Sequence, residues 1–182
     1  MFLPNLEGQL PVRATAKEFS TALQQRVSQG FLNHPTGARQ NYELHDVGST
    51  TALNVRAANW FTAINVGMNE LFLDLSETGK IKFRLSYWRW ATYCVALCFI
   101  LGIAMIGLFL VIDIQQYIAN NRHARIPGLT ITQNLYLAWA NIIFWGFVWP
   151  WILVELHKRP LRKLLAKTIA EIDEIAVAKN AG

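Results

Sequence analysis

The side chains that could bind a metal ion or attack a substrate are few and far apart in this sequence. The two cysteines, Cys94 and Cys98, are one helical turn apart inside a long apolar run. A structural zinc site needs more ligands than two thiols, and a disulfide framework needs more pairs than this chain can form. We therefore interpret both cysteines as small residues that pack between helices.

The histidines are scattered along the chain, and none lies within an apolar run. Haem in a membrane is normally held by imidazoles that project from facing helices, so this distribution argues against haem. A metal site at His34, His45 and Asp46 would require the turn-rich chain between them to bring them together. We interpret these two histidines, together with His123 and His157, as facing solvent.

No sequence motif indicates catalysis. The chain contains no P-loop, dinucleotide-binding glycine pattern, HExxH, GxSxG or CxxC motif. Asp113 and Glu155 are the ionisable residues closest to the apolar runs, at positions where water and lipid headgroups would reach them. We interpret them as interfacial, with an ion pathway as the alternative. The sequence predicts no catalytic, metal-binding or cofactor-binding residue, and we expect a protein that is not an enzyme.

Two long uncharged apolar runs dominate the second half of the chain, at residues 90–112 and 126–154. A bilayer core of about 30 Å is crossed by roughly 20 helical residues, so each run is long enough to span it. The predicted fold class is an α-helical membrane protein: a two-span transmembrane hairpin, a small α+β cytoplasmic N-terminal unit with a β-hairpin, and an amphipathic C-terminal helix. The predicted boundaries are 1–86 for the unit, 87–118 for the first transmembrane helix, 119–130 for an exterior loop, 131–156 for the second helix and 157–182 for the tail.

Basic residues flank these runs on one side. The segments before the first run and after the second carry nine Lys or Arg residues, whereas the loop between the runs carries only Arg122 and Arg125. The positive-inside rule then places both termini in the cytoplasm, most consistently at a bacterial inner membrane, with the mitochondrial inner membrane as the less favoured alternative. We expect no nucleic-acid partner, because the charges lie beside apolar runs. The basic residues that we expect at the membrane surface after the second run are Lys158, Arg159, Arg162, Lys163 and Lys167.

Periodicity predicts several elements in the N-terminal unit. Residues 13–29 show an amphipathic helix that ends at Gly30, and residues 31–51 are typical of a long loop with at most a short strand. Residues 51–66 fit either a helix or a strand. Strict alternation predicts a β-hairpin of residues 71–76 and 80–86, with Gly79 at the position of positive φ.

Two kinds of packing surface are predicted. Cys94, Cys98 and Gly102 recur at every fourth position, so another helix could approach them closely, and Asn141 is the most central polar side chain of the second run. We expect packing within the hairpin, with contact to another subunit as the alternative. In the tail, a helix that opens at Pro160 carries an apolar face that could meet a partner helix or the N-terminal unit, with Leu165, Ile169 and Ile172 as the candidates.

The chain resembles no family that its residues allow us to name, so the functional expectation comes from organisation alone. We expect an accessory or scaffold subunit of a multi-protein inner-membrane complex, such as a transport or secretion machine. Its partners would be the lipid bilayer and either other membrane subunits or further copies of itself. The alternative is a membrane-linked sensor or effector whose cytoplasmic unit controls an oligomeric transmembrane hairpin or pore.

Overall fold

The computed structural model describes residues 4–32, 42–46 and 51–179. The chain divides into two compact units. The first contains residues 1–91 and 156–182 and is called the sheet unit here. The second contains residues 92–155 and is called the helical pair.

The sheet unit contains a five-stranded antiparallel sheet with the strand order β1-β5-β4-β3-β2. The β-hairpin predicted from alternation is therefore its centre, since β4 and β5 are paired in the middle of the sheet. The strands are β1 (Asn5–Pro11), β2 (Tyr42–Asp46), β3 (Ala52–Ala57), β4 (Glu70–Asp74) and β5 (Lys80–Ser86).

One face of the sheet is buried, and its register explains which residues share that face. Leu53 pairs with Leu73, Leu73 with Phe83, and Phe83 with Gly8, so these four residues form one row across four strands. A Cβ atom on Gly8 would lie 2.8 Å from the Phe83 ring, which shows that the ring lies against this glycine. The three larger residues of this row are buried in the core.

The hairpin differs in one detail from its prediction. The first strand ends at Asp74 rather than at residue 76, because the Asp74 carboxylate accepts a hydrogen bond from the backbone N–H of Ser76 at 2.9 Å. This local turn competes with strand pairing. Gly79 has φ 78°, which confirms the predicted position of positive φ.

The predicted N-terminal helix is confirmed as α1 (Ala16–Gln29). It begins later than residue 13 because Thr15 and Glu18 form a capping box, in which each side chain accepts from the other residue's backbone N–H. The ambiguous stretch 51–66 holds both structures, β3 and then the short helix α2 (Trp60–Val66). Asn59 separates them, since its side chain caps α2. Parts of the predicted loop, 33–41 and 47–50, lie outside the described residues.

The helical pair contains α3 (Trp88–Val111), α4 (Ile114–Asn120), a 3-10 turn (Arg122–Ala124), α5 (Ile131–Ile143), a π-helical turn (Phe144–Val148) and the start of α6 (Trp149–Ala178). The boundaries differ from those predicted, because Asp113 caps a new helix by accepting from the Gln116 N–H at 2.9 Å. The first long helix therefore ends at Val111 instead of 118. The segment predicted as a loop also contains helical turns. Asn134 braces this connection by accepting from the Ile126 N–H at 2.8 Å.

The prediction that a separate tail helix begins at Pro160 is wrong. Pro160 lies inside α6, which runs without interruption from the helical pair into the sheet unit. A proline within a helix removes one hydrogen bond and costs about 3 kcal/mol. The cost is offset by the buried face that follows, where Leu161, Leu165, Ile169 and Ile172 are each at most 2% exposed.

Asp173 connects the end of α6 to the beginning of α1. Its carboxylate is buried and accepts hydrogen bonds from the backbone N–H groups of Arg13 and Ala14, each at 2.9 Å. The Arg13 guanidinium lies 3.4 Å away. Arg26 of α1 makes a second link, with its guanidinium 2.6 Å from the Glu171 carboxylate. The two helices are therefore held by buried charge-assisted contacts as well as by apolar packing.

We expect Asp173→Asn to destabilise the sheet unit by about 1–3 kcal/mol, because the neutral amide loses the charge that strengthens the hydrogen bonds from the Arg13 and Ala14 N–H groups, and its NH2 group donates where the Arg13 guanidinium needs an acceptor. Urea unfolding of the full chain, followed by a sheet-unit signal, measures the change. The neighbouring Glu174→Gln is the control, since Glu174 is exposed and should change stability little. Equal unfolding midpoints for both variants would contradict the assignment of Asp173 as a structural link.

Candidate functional site

The most distinctive cluster of side chains lies where β5 passes into α3. Only Tyr87 separates the strand, which ends at Ser86, from the helix, which begins at Trp88. Tyr87 is fully buried, and its N–H donates to the Pro4 carbonyl at 2.9 Å. We call the surrounding group the aromatic junction: Trp60, Tyr87, Trp88, Arg89, Trp90 and His157.

The Arg89 guanidinium lies over two indole rings. Its central carbon is 5.4 Å from the Trp60 ring and 5.5 Å from the Trp88 ring, within the range of cation-π attraction. The two indoles meet edge to face with centroids 5.9 Å apart. In the orientation of the Asn69 amide that satisfies its neighbours, the oxygen accepts from the Trp88 Nε1–H at 3.0 Å and the Arg89 N–H at 3.1 Å.

His157 is packed against the other side of the junction. Its ring stacks on Trp90 at 3.8 Å with an interplanar angle of 14°, and Tyr87 lies 5.6 Å away. A Cβ atom on Gly67 would collide with the imidazole Nε2, so this glycine permits the contact. The expectation that His157 faces solvent is wrong, because its Nε2 atom is buried. The sequence does not show that α6 returns to the sheet unit, so it gave no sign that His157 would stack on Trp90.

Burial lowers the pKa of His157, and the nearby backbone of Gly67 only partly offsets this effect. The neutral ring is therefore the form that the folded junction prefers. An aromatic stack around a neutral imidazole can position a helix. The junction offers packing and cation-π contacts rather than a nucleophile with an adjacent base.

No group of three His, Cys, Asp or Glu side chains converges on a possible metal position within the described ranges. His34 lies outside those ranges, and so does the side chain of Asp46, so the site considered there is not described. His45 lies on β2, and His123 lies in the 3-10 turn.

Gly102, one of the three predicted small residues, lies at a close approach between two segments of the helical pair. A Cβ on Gly102 would be 3.0 Å from the Cα of Gly146, and one on Gly146 would be 2.8 Å from the Cα of Gly102. Phe99 meets Phe147 at 4.9 Å, and Phe109 meets Trp139 at 5.4 Å. These contacts show that the helices are antiparallel, as the short connection predicts.

The other packing candidates have different surroundings. Cys94 and Cys98 are half-buried free thiols on α3. Asn141 is exposed, and its side-chain amide donates to the Leu137 carbonyl of its own helix at 3.1 Å. This hydrogen bond therefore stays within α5 and does not connect it to a second helix.

Pro150 lies close to a change of helical geometry. The π-helical turn at Phe144–Val148 ends two residues before Pro150, which lacks the N–H that a regular helix needs. A π-helical turn is one of the recognised ways in which a helix is redirected. Gly146 lies inside this turn, so the irregular turn also contains the close contact with Gly102 of α3.

The predicted tail residues occupy two faces of α6. Arg159, Arg162, Lys163 and Lys167 are exposed, whereas Lys158 is half-buried. The proposed partner-helix residues Leu165, Ile169 and Ile172 are buried in the chain's own sheet unit. Of the two occupants considered for their apolar face, the structure thus provides the N-terminal unit.

The outer face of the sheet carries an open groove of about 590 Å³. Phe72 lies in it among charged residues of both signs, and Arg84 is 2.7 Å from the Glu7 carboxylate. At the other end of this face, a hydrogen bond from Asn54, with help from Arg56, lowers the pKa of Glu70. The groove therefore combines apolar lining, from Phe72 and Phe83, with charged side chains of both signs.

No protein-family model, curated protein or solved structure matches this chain.

We expect Gly102→Leu to disrupt the helical pair, because a larger side chain must displace Gly146 or Phe147. Forced overpacking of this kind costs roughly 1–3 kcal/mol. The matched control is Gly107→Leu on the same helix, where an added Cβ meets nothing within 4 Å. Thermal unfolding of the purified chain in detergent should show a lower midpoint only for the Gly102 variant. Equal midpoints would place the helix contact elsewhere.

The junction should weaken on acidification. Since the folded pKa of His157 lies below its unfolded value, its stabilising contribution is complete above the unfolded pKa of about 6.5 and is lost as the pH falls below that value. His157→Phe retains a ring for stacking on Trp90 but cannot take up a proton. The loss of stability between pH 8 and pH 5 should therefore be smaller in this variant than in the parent. An identical pH dependence would show that the imidazole does not titrate differently on folding.

Proposed function

We propose that this chain is a two-span integral membrane protein that serves as a non-enzymatic accessory or scaffold subunit of an inner-membrane complex. The observation that carries the proposal is the exposed apolar surface of the helical pair. Two helices, Trp88–Val111 and Ile131–Ala178, are long and apolar enough to cross a membrane. Of the most apolar 18-residue stretch of α3, only 6% is buried inside the chain. Soluble proteins rarely expose apolar patches on this scale, so lipid or other subunits would cover them.

The orientation follows from charge. Exposed Arg159, Arg162 and Lys163 come just after the second apolar segment, and Lys82 and Arg84 precede the first. Basic residues close to a span resist translocation and are attracted to the anionic lipids of the cytoplasmic leaflet. We therefore place both termini and the sheet unit in the cytoplasm of a bacterial cell, with the mitochondrial inner membrane as the less favoured location.

The subunit role is supported by what the fold presents to its surroundings. The helical pair is closed at Gly102 and Gly146, yet most of its remaining surface is apolar and exposed, including Ile103, Leu110 and Trp145. Membrane helices associate through such surfaces by van der Waals packing. A transport or secretion machine is the host complex that we propose, by analogy with machines that use small two-span subunits.

Reporter fusions at each terminus of the full-length protein test the topology, and extraction from native membranes with mass spectrometry tests the complex. We expect cytoplasmic signals at both ends and the co-purification of larger membrane proteins. As a control, a reporter inserted between Arg125 and Ile131 should give an exterior signal. An exterior signal from either terminus would contradict the topology, and a lone monomer without companions would contradict the subunit role.

The direct connection between β5 and α3 favours a second candidate, a membrane-linked sensor or effector. Ligand binding to the sheet unit would act on α3 without a flexible linker, because Tyr87 is the only residue between β5 and α3. Such a protein would control an oligomeric hairpin or pore. Dye release from liposomes that contain the purified protein tests this function. Retention of the dye in all oligomeric states would exclude the pore.

A further inference from the structure

The first turn of α2 carries aromatic side chains that the sheet unit does not cover. Trp60 is 46% exposed and Phe61 is 77% exposed, whereas Thr62 and Ala63 of the same helix are buried. Asn59 fixes the start of this turn by accepting a hydrogen bond from the Thr62 N–H at 2.8 Å. The two exposed rings are therefore presented by an ordered helix that is anchored on the sheet unit.

This turn is tied to the beginning of α3. Trp60 contacts Trp88, the first residue of α3, and the Arg89 guanidinium lies over both indoles. The Asn69 amide holds Trp88 and the Arg89 backbone from the sheet side. These contacts all lie within the sheet unit, so the first turn of α2 stands beside the point where the apolar helix starts.

If α3 enters a bilayer at Trp88, the first turn of α2 lies at the level of the lipid headgroups. Tryptophan is enriched at the boundary between headgroups and acyl chains because its ring is apolar and its N–H is polar. A guanidinium at the same depth faces lipid phosphate, which it binds through several donors. Within the described residues, the Arg89 Nε atom is buried without a hydrogen-bond partner, so any phosphate contact would be made by the other guanidinium nitrogens.

We propose that the first turn of α2 is a membrane-interface anchor, with Trp60 and Phe61 inserted at the level of the lipid headgroups beside Trp88 and Arg89. This inference rests on the proposed two-span topology and extends it to a part of the sheet unit that is distant in sequence from either span. The occupant of the exposed surface is the lipid bilayer rather than a protein. On α3 itself, Tyr93, Leu97 and Leu101 are exposed apolar residues.

The experiment places spin labels in the full chain, reconstituted into vesicles of phosphatidylcholine and phosphatidylglycerol. Cys94 and Cys98 are first replaced by Ala, and single cysteines are introduced as Phe61→Cys, Phe72→Cys and Ile103→Cys. Phe72 is the matched control, since it is an exposed phenylalanine on the outer face of the sheet. Ile103 reports on α3 itself. Collision with oxygen, which dissolves in lipid, is compared with collision with a water-soluble nickel complex.

We expect the label at 61 to collide several-fold less with nickel than the label at 72, and to gain oxygen contact as the label at 103 does. A label at 61 that resembles the label at 72, while the label at 103 is in lipid, would overturn the anchor and leave the span intact. A label at 103 that nickel reaches freely would overturn the two-span proposal itself. A label at 61 shielded from both reagents would mean that protein covers the turn, which also overturns the anchor.

Discussion

The burial of the apolar face of α6 in the sheet unit is the interaction on which the rest of the structure depends. A five-stranded sheet with one apolar face needs a covering layer, and α1 is only 14 residues long. The later part of α6 adds a second helical face with four residues that are almost completely buried. The sheet unit is therefore incomplete until the last part of the chain has returned from the helical pair.

This arrangement gives α6 two environments along one continuous helix. Its first residues follow the π-helical turn of the helical pair, and its later residues join the core of the sheet unit. Its exposed face after Glu155 is basic, whereas the opposite face is apolar. A single amphipathic segment can thus bury leucine and isoleucine while it keeps lysine and arginine available for an anionic surface. The same constraint explains why Asp173 and Glu171 lie on this helix, where they pair with the N-terminal segment and α1.

Local patterns in the sequence predicted much of the sheet unit. The alternation from Leu71 to Leu85 identified the central hairpin, and Gly30 identified the end of α1. Strand β1 was missed, because the sequence around Gly8 contains glycine and two prolines, which are unfavourable in strands; its edge position and the overlying Phe83 ring explain why they are tolerated. The end of α3 was also missed. Asp113 follows an unbroken apolar run, but its side chain caps a new helix.

The site was harder to predict than the fold, because its parts are far apart in sequence. Tyr87, Trp88 and Trp90 are close together in the sequence, but Trp60 and His157 join them only through α2 and the return of α6. Leu165, Ile169 and Ile172 were correctly read as an apolar face. Their helical spacing carries no information on whether the face meets the same chain or another one.

Hydrogen exchange of the full chain tests the central role of α6 most directly. Backbone amides deep in a cooperative unit exchange only when that unit opens, so the amides around Leu165–Ile172 should be protected as strongly as those of β4 and β5. Equal protection of the helix and the central strands is the predicted result. Rapid exchange throughout residues 161–176, with β4 and β5 still protected, would show that the sheet folds without this helix and would contradict the account.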